Sequence, residues 1–152
     1  MAVALLGAGC FGSSIPLGPP ERGEIDKTLL GTWRCTDPTQ SPDKSATLRV
    51  VPFDKHQYYA EWHEGDDVQR YRVYSTPIRG ERLLNVEDLT FRMRGPEWVF
   101  LRAKHGGDGR LRLSFVKEDS LKGLAPARAV RAIKRRVADD SLYEDLAICA
   151  SE

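Results

Sequence analysis

Alternation of apolar and polar side chains with a period of two is the feature of this sequence that most restricts its fold. It is clearest at residues 111–115, where three apolar residues alternate with an arginine and a serine. Such a run places its apolar side chains on one face of an extended strand. Six further runs of strand character lie earlier in the chain, at residues 30–35, 47–50, 57–63, 70–73, 84–86 and 98–103. Seven short strands at this spacing predict an antiparallel β-barrel or sandwich.

Short turn sequences separate these runs. Residues 106–109 (GGDG) carry the strongest hairpin signal, because glycine readily adopts the positive φ angles of tight turns. Further turns are predicted at residues 64–67 and 79–81, each of which contains a glycine. Hairpin connections of this kind predict that consecutive strands are neighbours in a meander.

The period changes to that of a helix after residue 125. Pro126 suits the first helical position, and Val130, Ile133 and Val137 follow at helical spacing. Residues 146–150 can then form an eighth strand. The sequence therefore predicts a mainly β fold of eight antiparallel strands in a meander, a barrel or a sandwich, with one α-helix before the last strand.

The first twenty residues contain no charged side chain, whereas 30% of the whole chain is charged. The sequence Gly7-Ala8-Gly9-Cys10 resembles the lipobox of bacterial lipoproteins. The resemblance implies cleavage before Cys10, acylation of its thiol, and a signal remnant over residues 1–9. A frayed apolar N-terminus with a chance cysteine is the alternative.

The segment that follows is rich in glycine, serine and proline. Residues 10–27 are therefore predicted to be a flexible tether, and residues 28–152 the barrel domain. Such a tether would connect the barrel domain to a lipid bilayer in which acylated Cys10 is anchored. Two or more acyl chains give stable attachment to a bilayer. Phe11 stands where inner-membrane lipoproteins of enteric bacteria carry aspartate. The expected location is the bacterial cell envelope, on the periplasmic face of the outer membrane.

A second resemblance concerns the barrel. Gly31-Thr32-Trp33 is similar to the Gly-x-Trp signature of lipocalins. Its order with Tyr71-Arg72-Val73-Tyr74, Leu84-Asn85-Val86 and Leu142-Tyr143-Glu144-Asp145 resembles small uncharacterised bacterial lipoproteins. The resemblance covers roughly residues 28–150 and implies an eight-stranded antiparallel meander barrel, lipocalin-like and of the calycin type, with one α-helix before the last strand.

Cys35 and Cys149 remain once Cys10 is assigned to acylation. The first and last strands of a closed meander are neighbours, which would allow a disulfide in an exported protein. Strand parity opposes it, since inward-facing Leu146 and Ile148 would turn Cys149 outward unless a β-bulge intervenes. The sequence leaves open both a disulfide and two buried free thiols.

Five aromatic residues are expected to face the interior of a closed barrel. They can line an apolar ligand pocket or simply fill the core, since an eight-stranded barrel is only just wide enough for its own side chains. These ligand-pocket candidates are Trp33, Tyr58, Trp62, Tyr71 and Phe115.

The predicted helix has a basic face. Residues 126–136 carry five positive charges and no negative one, and residues 137–152 carry five negative charges and no positive one. Mutual cancellation is the simpler interpretation, and contact with anionic lipid headgroups is the alternative. The membrane-surface candidates are Arg128, Arg131, Lys134 and Arg135.

No sequence motif indicates catalysis. The three histidines, His56, His63 and His105, lack the spacing of a metal site, so we expect no catalytic residue, metal or cofactor. The balance of 23 basic and 22 acidic residues argues against a nucleic-acid partner. We expect a barrel that binds a small apolar or amphipathic ligand. The alternative is an interaction protein with a filled core, whose envelope partner contacts an outer surface that includes Arg70, Arg72, Arg110 and Arg112.

Overall fold

A computed structural model describes residues 9–90 and 97–152 of the chain. Within these residues the chain forms nine strands and one α-helix, with short 3-10 turns between them. The strands are β1 (Gly12–Ser13), β2 (Gly31–Thr36), β3 (Ser45–Pro52), β4 (Tyr58–Glu64), β5 (Asp67–Ile78), β6 (Glu81–Asp88), β7 (Trp98–His105), β8 (Leu111–Val116) and β9 (Tyr143–Ser151), and the helix is α1 (Pro126–Arg135).

Strands β2 to β9 form a closed antiparallel barrel. Each pairs with the next along the chain, and β9 returns to pair with β2, which closes the sheet. The predicted eight-stranded meander with a helix before the last strand is confirmed. The turn at Arg79 and Gly80 has φ angles of 48° and 81°, the left-handed conformation of tight hairpins.

The barrel interior is filled by the inward side chains of all eight strands. The five predicted aromatic residues belong to this core and are all buried. Trp33 also donates its indole N–H to the carbonyl oxygen of Leu29 at 3.1 Å, which closes the chain over one end of the barrel.

A second apolar core lies outside the barrel wall. Tyr74, Phe100 and Val116 point outward from β5, β7 and β8 and pack against Ile133 of α1. This core explains why residues 98–101 are apolar on both faces, since one face lines the barrel and the other receives the helix. The basic residues of α1 lie on the side of the helix that faces away from the barrel.

The N-terminal segment differs from the predicted flexible tether. Strand β1 pairs with the start of β7, and the Phe11 amide donates to the Val116 carbonyl oxygen at 3.0 Å. Phe11 and Leu17 are buried in the outer core. The amide of Leu17 also donates to the buried Asn85 side chain at 2.8 Å. The glycines and prolines do not keep the segment free, because Phe11 and Leu17 pack against the apolar outer wall of the barrel. Residues 1–8 of the predicted signal remnant lie outside the described residues.

Cys35 and Cys149 are directly opposite each other on β2 and β9 and form a disulfide. Leu146 packs partly buried against the inner core, as expected, whereas the expectation that Ile148 faces inward is wrong. A register shift between β8 and β9 leaves Leu146 as an extra residue, and beyond this bulge Ala147 and Cys149 face the core. The bulge therefore reverses the parity that opposed the disulfide.

Candidate ligand-binding site

A cavity of about 60 Å³ remains inside the barrel. Three of the five ligand-pocket candidates, Tyr58, Trp62 and Tyr71, line it, whereas Trp33 and Phe115 are buried elsewhere in the same core. Most of its lining is aliphatic and was not singled out by sequence reasoning, although strand parity could have identified these positions. The remaining lining residues are Leu29, Leu48, Val50, Ala60, Val73, Leu84, Val86, Leu101, Ala103, Leu111 and Leu113.

A second cavity of about 50 Å³ adjoins the first at one end of the barrel. The two cavities share Leu29, Tyr58, Leu84 and Ala103, so they are neighbours separated by these side chains. The second cavity differs in chemistry, because polar and charged groups from residues 24–26 and from β5, β6 and β7 line the rest of it. These residues, the polar mouth, are Glu24, Asp26, Ser75, Arg82 and His105.

Hydrogen bonds hold residues 24–28 across this end of the barrel. The Asp26 amide donates to the Tyr58 hydroxyl at 2.7 Å, and Ser75 donates to the Glu24 carbonyl oxygen at 3.2 Å. His105 Nε2 lies 2.9 Å from the Thr28 hydroxyl oxygen. The segment therefore forms a fixed rim around the polar mouth.

The charges of the polar mouth are partly paired. Glu24 and Arg82 form an ion pair of 2.7 Å. Hydrogen bonds from the Thr28 side chain lower the pKa of Asp26, so this carboxylate is ionised at neutral pH. Burial raises the pKa of Tyr58, which keeps its hydroxyl protonated. Glu24 and Asp26 together carry two negative charges and Arg82 carries one positive charge. One negative charge of the mouth is therefore not balanced by Arg82.

Cys10 lies at the opposite end of the barrel from the polar mouth. It forms a β-bridge with Lys117, just beyond the end of β8, whereas His105 pairs with the first residue of β8. The thiol is half-buried, and burial, assisted by the charge of Glu144, raises its pKa to about 11. It is therefore protonated at neutral pH.

The other charged candidates are on the outside of the barrel. Arg128, Arg131 and Arg135 are exposed and Lys134 is half-buried, all on the surface of α1. Four arginines in β5 and in or next to β8 were suggested by the sequence as part of a partner surface. Each of these strand arginines has an acidic neighbour. Their pairs are Arg70–Glu61 at 4.0 Å, Arg72–Glu87 at 3.6 Å, Arg110–Asp108 at 3.6 Å and Arg112–Asp145 at 2.6 Å.

The three histidines have different partners in the fold. His56 Nδ1 lies 2.9 Å from the Gly23 carbonyl oxygen, and His63 lies 3.8 Å from Glu61. Across residues 9–90 and 97–152, no group of three His, Cys, Asp or Glu side chains is arranged to hold a metal ion.

Comparison with known proteins gives no relative. The chain matches no protein-family model, and no curated protein sequence or solved structure is significantly similar to it. In the part of the chain that the structure describes, no helix has the length and apolar character needed to cross a bilayer. The barrel and its two cavities are therefore the observations from which a function has to be argued.

Proposed function

We propose that this chain is a non-enzymatic binding protein whose barrel takes a short apolar molecule with a hydroxyl or ammonium end. The observation that supports this best is the pair of adjoining cavities, apolar inside the barrel and polar at its mouth. Ligand sites commonly combine an apolar lining with a few placed polar groups. A molecule with one apolar and one polar end matches that order.

The size of the inner cavity limits the apolar part of the ligand. A volume of about 60 Å³ is well below the roughly 150 Å³ of an engineered apolar cavity that binds benzene. A short alkyl chain matches this volume, whereas a ring or a long acyl chain would have to displace core side chains.

The charges of the polar mouth favour a particular polar end. Arg82 is already paired with Glu24, and Asp26 is ionised. A ligand carboxylate would meet the unbalanced negative charge of Asp26. A hydroxyl or ammonium group can instead donate a hydrogen bond to it.

A series of straight-chain alkanols tests the binding proposal. Calorimetric titration is expected to show affinity rising about fourfold with each added methylene, until the cavity is full. The alkylamine of the same length is expected to bind at least as tightly, and the alkanoate more weakly. Ala60→Leu fills the cavity and is expected to abolish this binding, whereas Ala127→Leu, on the exposed surface of α1, leaves it unchanged.

Absence of heat and of a rise in melting temperature for every alkanol would contradict the proposal. That result would favour a second candidate, an interaction protein with a filled barrel. The small size of the inner cavity supports this candidate. A partner protein that bound this outer surface would have to displace the ion pairs of the strand arginines, such as Arg112–Asp145.

We also propose that the protein works in the bacterial envelope as a lipoprotein anchored through Cys10. The resemblance of residues 7–10 to a lipobox supports this. Because residues 11–13 pair with the barrel, the acyl group would hold the barrel directly at the bilayer and not at the end of a tether. The polar mouth lies at the other end of the barrel from this anchor.

Intact mass spectrometry of the protein recovered from bacterial membranes tests the anchor. The expected species lacks residues 1–9 and carries the added acyl mass on Cys10. Cys10→Ser is expected to remain unprocessed. An unmodified, full-length wild-type chain in the soluble fraction would contradict the lipoprotein proposal and leave the ligand-binding proposal intact.

A further inference from the structure

The outer surface of α1 is a continuous basic face. Arg128, Arg131 and Arg135 follow one another at intervals of three and four residues, and Lys134 lies beside them. Residues at this spacing share one face of a helix. The opposite face is buried against the barrel through Val130 and Ile133, so the basic face can only point outward.

The acidic residues that follow the helix do not neutralise this face. Asp140 pairs with Arg102 of β7 at 2.9 Å, and Asp145 pairs with Arg112 of β8 at 2.6 Å. Asp139 pairs with Arg136 at 3.3 Å, outside the four residues of the basic face. No ion pair within the described ranges involves Arg128, Arg131, Lys134 or Arg135. Cancellation between the two segments, the simpler interpretation of the sequence, is therefore limited to the Arg136–Asp139 pair and does not reach the four residues of the basic face.

A crevice of about 340 Å³ adjoins the basic face. It lies between the N-terminal segment, the end of β5 and Lys134. Buried Leu17 and Ile78 contribute apolar surface to it, and Arg22 and Lys134 contribute positive charge. No carboxylate is among its lining residues, which are Leu17, Gly18, Pro19, Arg22, Thr76, Pro77, Ile78 and Lys134.

We propose that the basic face and this crevice form a docking surface for an anionic lipid bilayer. Headgroup phosphates contact the exposed cations of α1, and one lipid places its phosphate between Arg22 and Lys134 with its glycerol region against the apolar part of the crevice. Each cation held near an anionic membrane surface raises affinity about fivefold. The apolar surface beside the cations favours a lipid over a nucleic acid, as does a net charge of only +1 for the whole chain.

This surface is separate from the proposed ligand site and from the anchor. It lies on the outer wall of the barrel, whereas the cavities lie inside it. It also requires no acyl group on Cys10. The test of the docking proposal is therefore independent of the tests of the ligand site and of the anchor.

Vesicle co-sedimentation of the full chain tests the docking surface, with Cys10→Ser present throughout so that no acyl chain contributes. The protein is expected to bind vesicles of equal parts phosphatidylcholine and phosphatidylglycerol and not vesicles of phosphatidylcholine alone. Arg131→Gln with Lys134→Gln is expected to weaken binding about 25-fold. The matched pair Arg34→Gln and Lys44→Gln, with the same change in charge on exposed positions of the β2–β3 hairpin, is expected to leave binding unchanged.

A second double variant, Arg128→Gln with Arg135→Gln, keeps the test valid if the first double variant fails to fold. Circular dichroism checks that each variant keeps the wild-type fold. Equal weakening by the helix pairs and the control pair would overturn the proposal, since it would show that net charge alone controls binding. Binding to phosphatidylcholine alone, or no binding to either vesicle, would overturn it as well. Tighter binding to a DNA duplex than to the anionic vesicles would assign the basic face to nucleic acid instead.

Discussion

Loss of the Cys35–Cys149 disulfide is expected to lower the free energy of unfolding by about 4–5 kcal/mol. The bond joins residues 114 positions apart, and it links the first and last strands of the barrel. Without it the unfolded chain gains the conformational freedom of that long loop. Domains of this size are commonly stable by only about 5–15 kcal/mol, so the loss is a large fraction of the total. Urea denaturation of Cys35→Ala/Cys149→Ala against the wild type measures it.

Cys10→Ser is the matched control, because it removes a half-buried thiol that takes no part in a disulfide. We expect it to lower the free energy of unfolding by a small fraction of the effect of the double variant. Thiol titration in denaturant gives a further check, with one reactive thiol expected in the wild type and three after reduction. A double variant as stable as the wild type would show that the strand pairing holds the barrel closed without the bond.

Leu17→Ala is expected to lower the free energy of unfolding by about 2–4 kcal/mol. Leu17 is only 2% exposed and packs in the outer core, although it lies between the glycines and prolines of the N-terminal segment. The substitution removes buried apolar atoms and leaves space against the barrel wall. Thermal and urea unfolding of the full chain measure the effect.

Ile15→Ala is the matched control within the same segment. Ile15 is 37% exposed, so its truncation is expected to change the free energy of unfolding by about 0.5 kcal/mol or less. A difference between the two variants would establish that the segment is part of the folded domain. Two small effects of equal size would instead support the flexible tether that the sequence suggested.

The strands and the helix could be predicted because their signal is local. The alternation at residues 111–115 and the spacing of Val130 and Ile133 each reflect one face of one element meeting a core. The strand at residues 98–103 was predicted as well. Why residues 98–101 are apolar on both faces was not, because only the fold brings α1 against the outer side of this strand.

The candidate site was predicted only in part. Tyr58, Trp62 and Tyr71 do line the inner cavity, but the sequence could not distinguish a packed interior from a hollow one. The polar mouth was missed altogether. Glu24 and Asp26 lie in a segment taken as tether, and Arg82 and His105 come from strands that are distant along the chain.

The sequence by itself determined the mainly β meander, the position of the helix and the two cysteines available for a bond. These follow from side-chain periodicity, turn residues and composition, which act over a few neighbouring residues. The tertiary structure decided the rest. The bulge at Leu146 turned Cys149 inward, the outer wall of the barrel held Leu17, and Arg102 and Arg112 paired with two of the carboxylates that follow α1 in the chain. Each of these depends on which surfaces meet across the fold, because burial and ion pairing are properties of contacts between residues that are far apart in sequence.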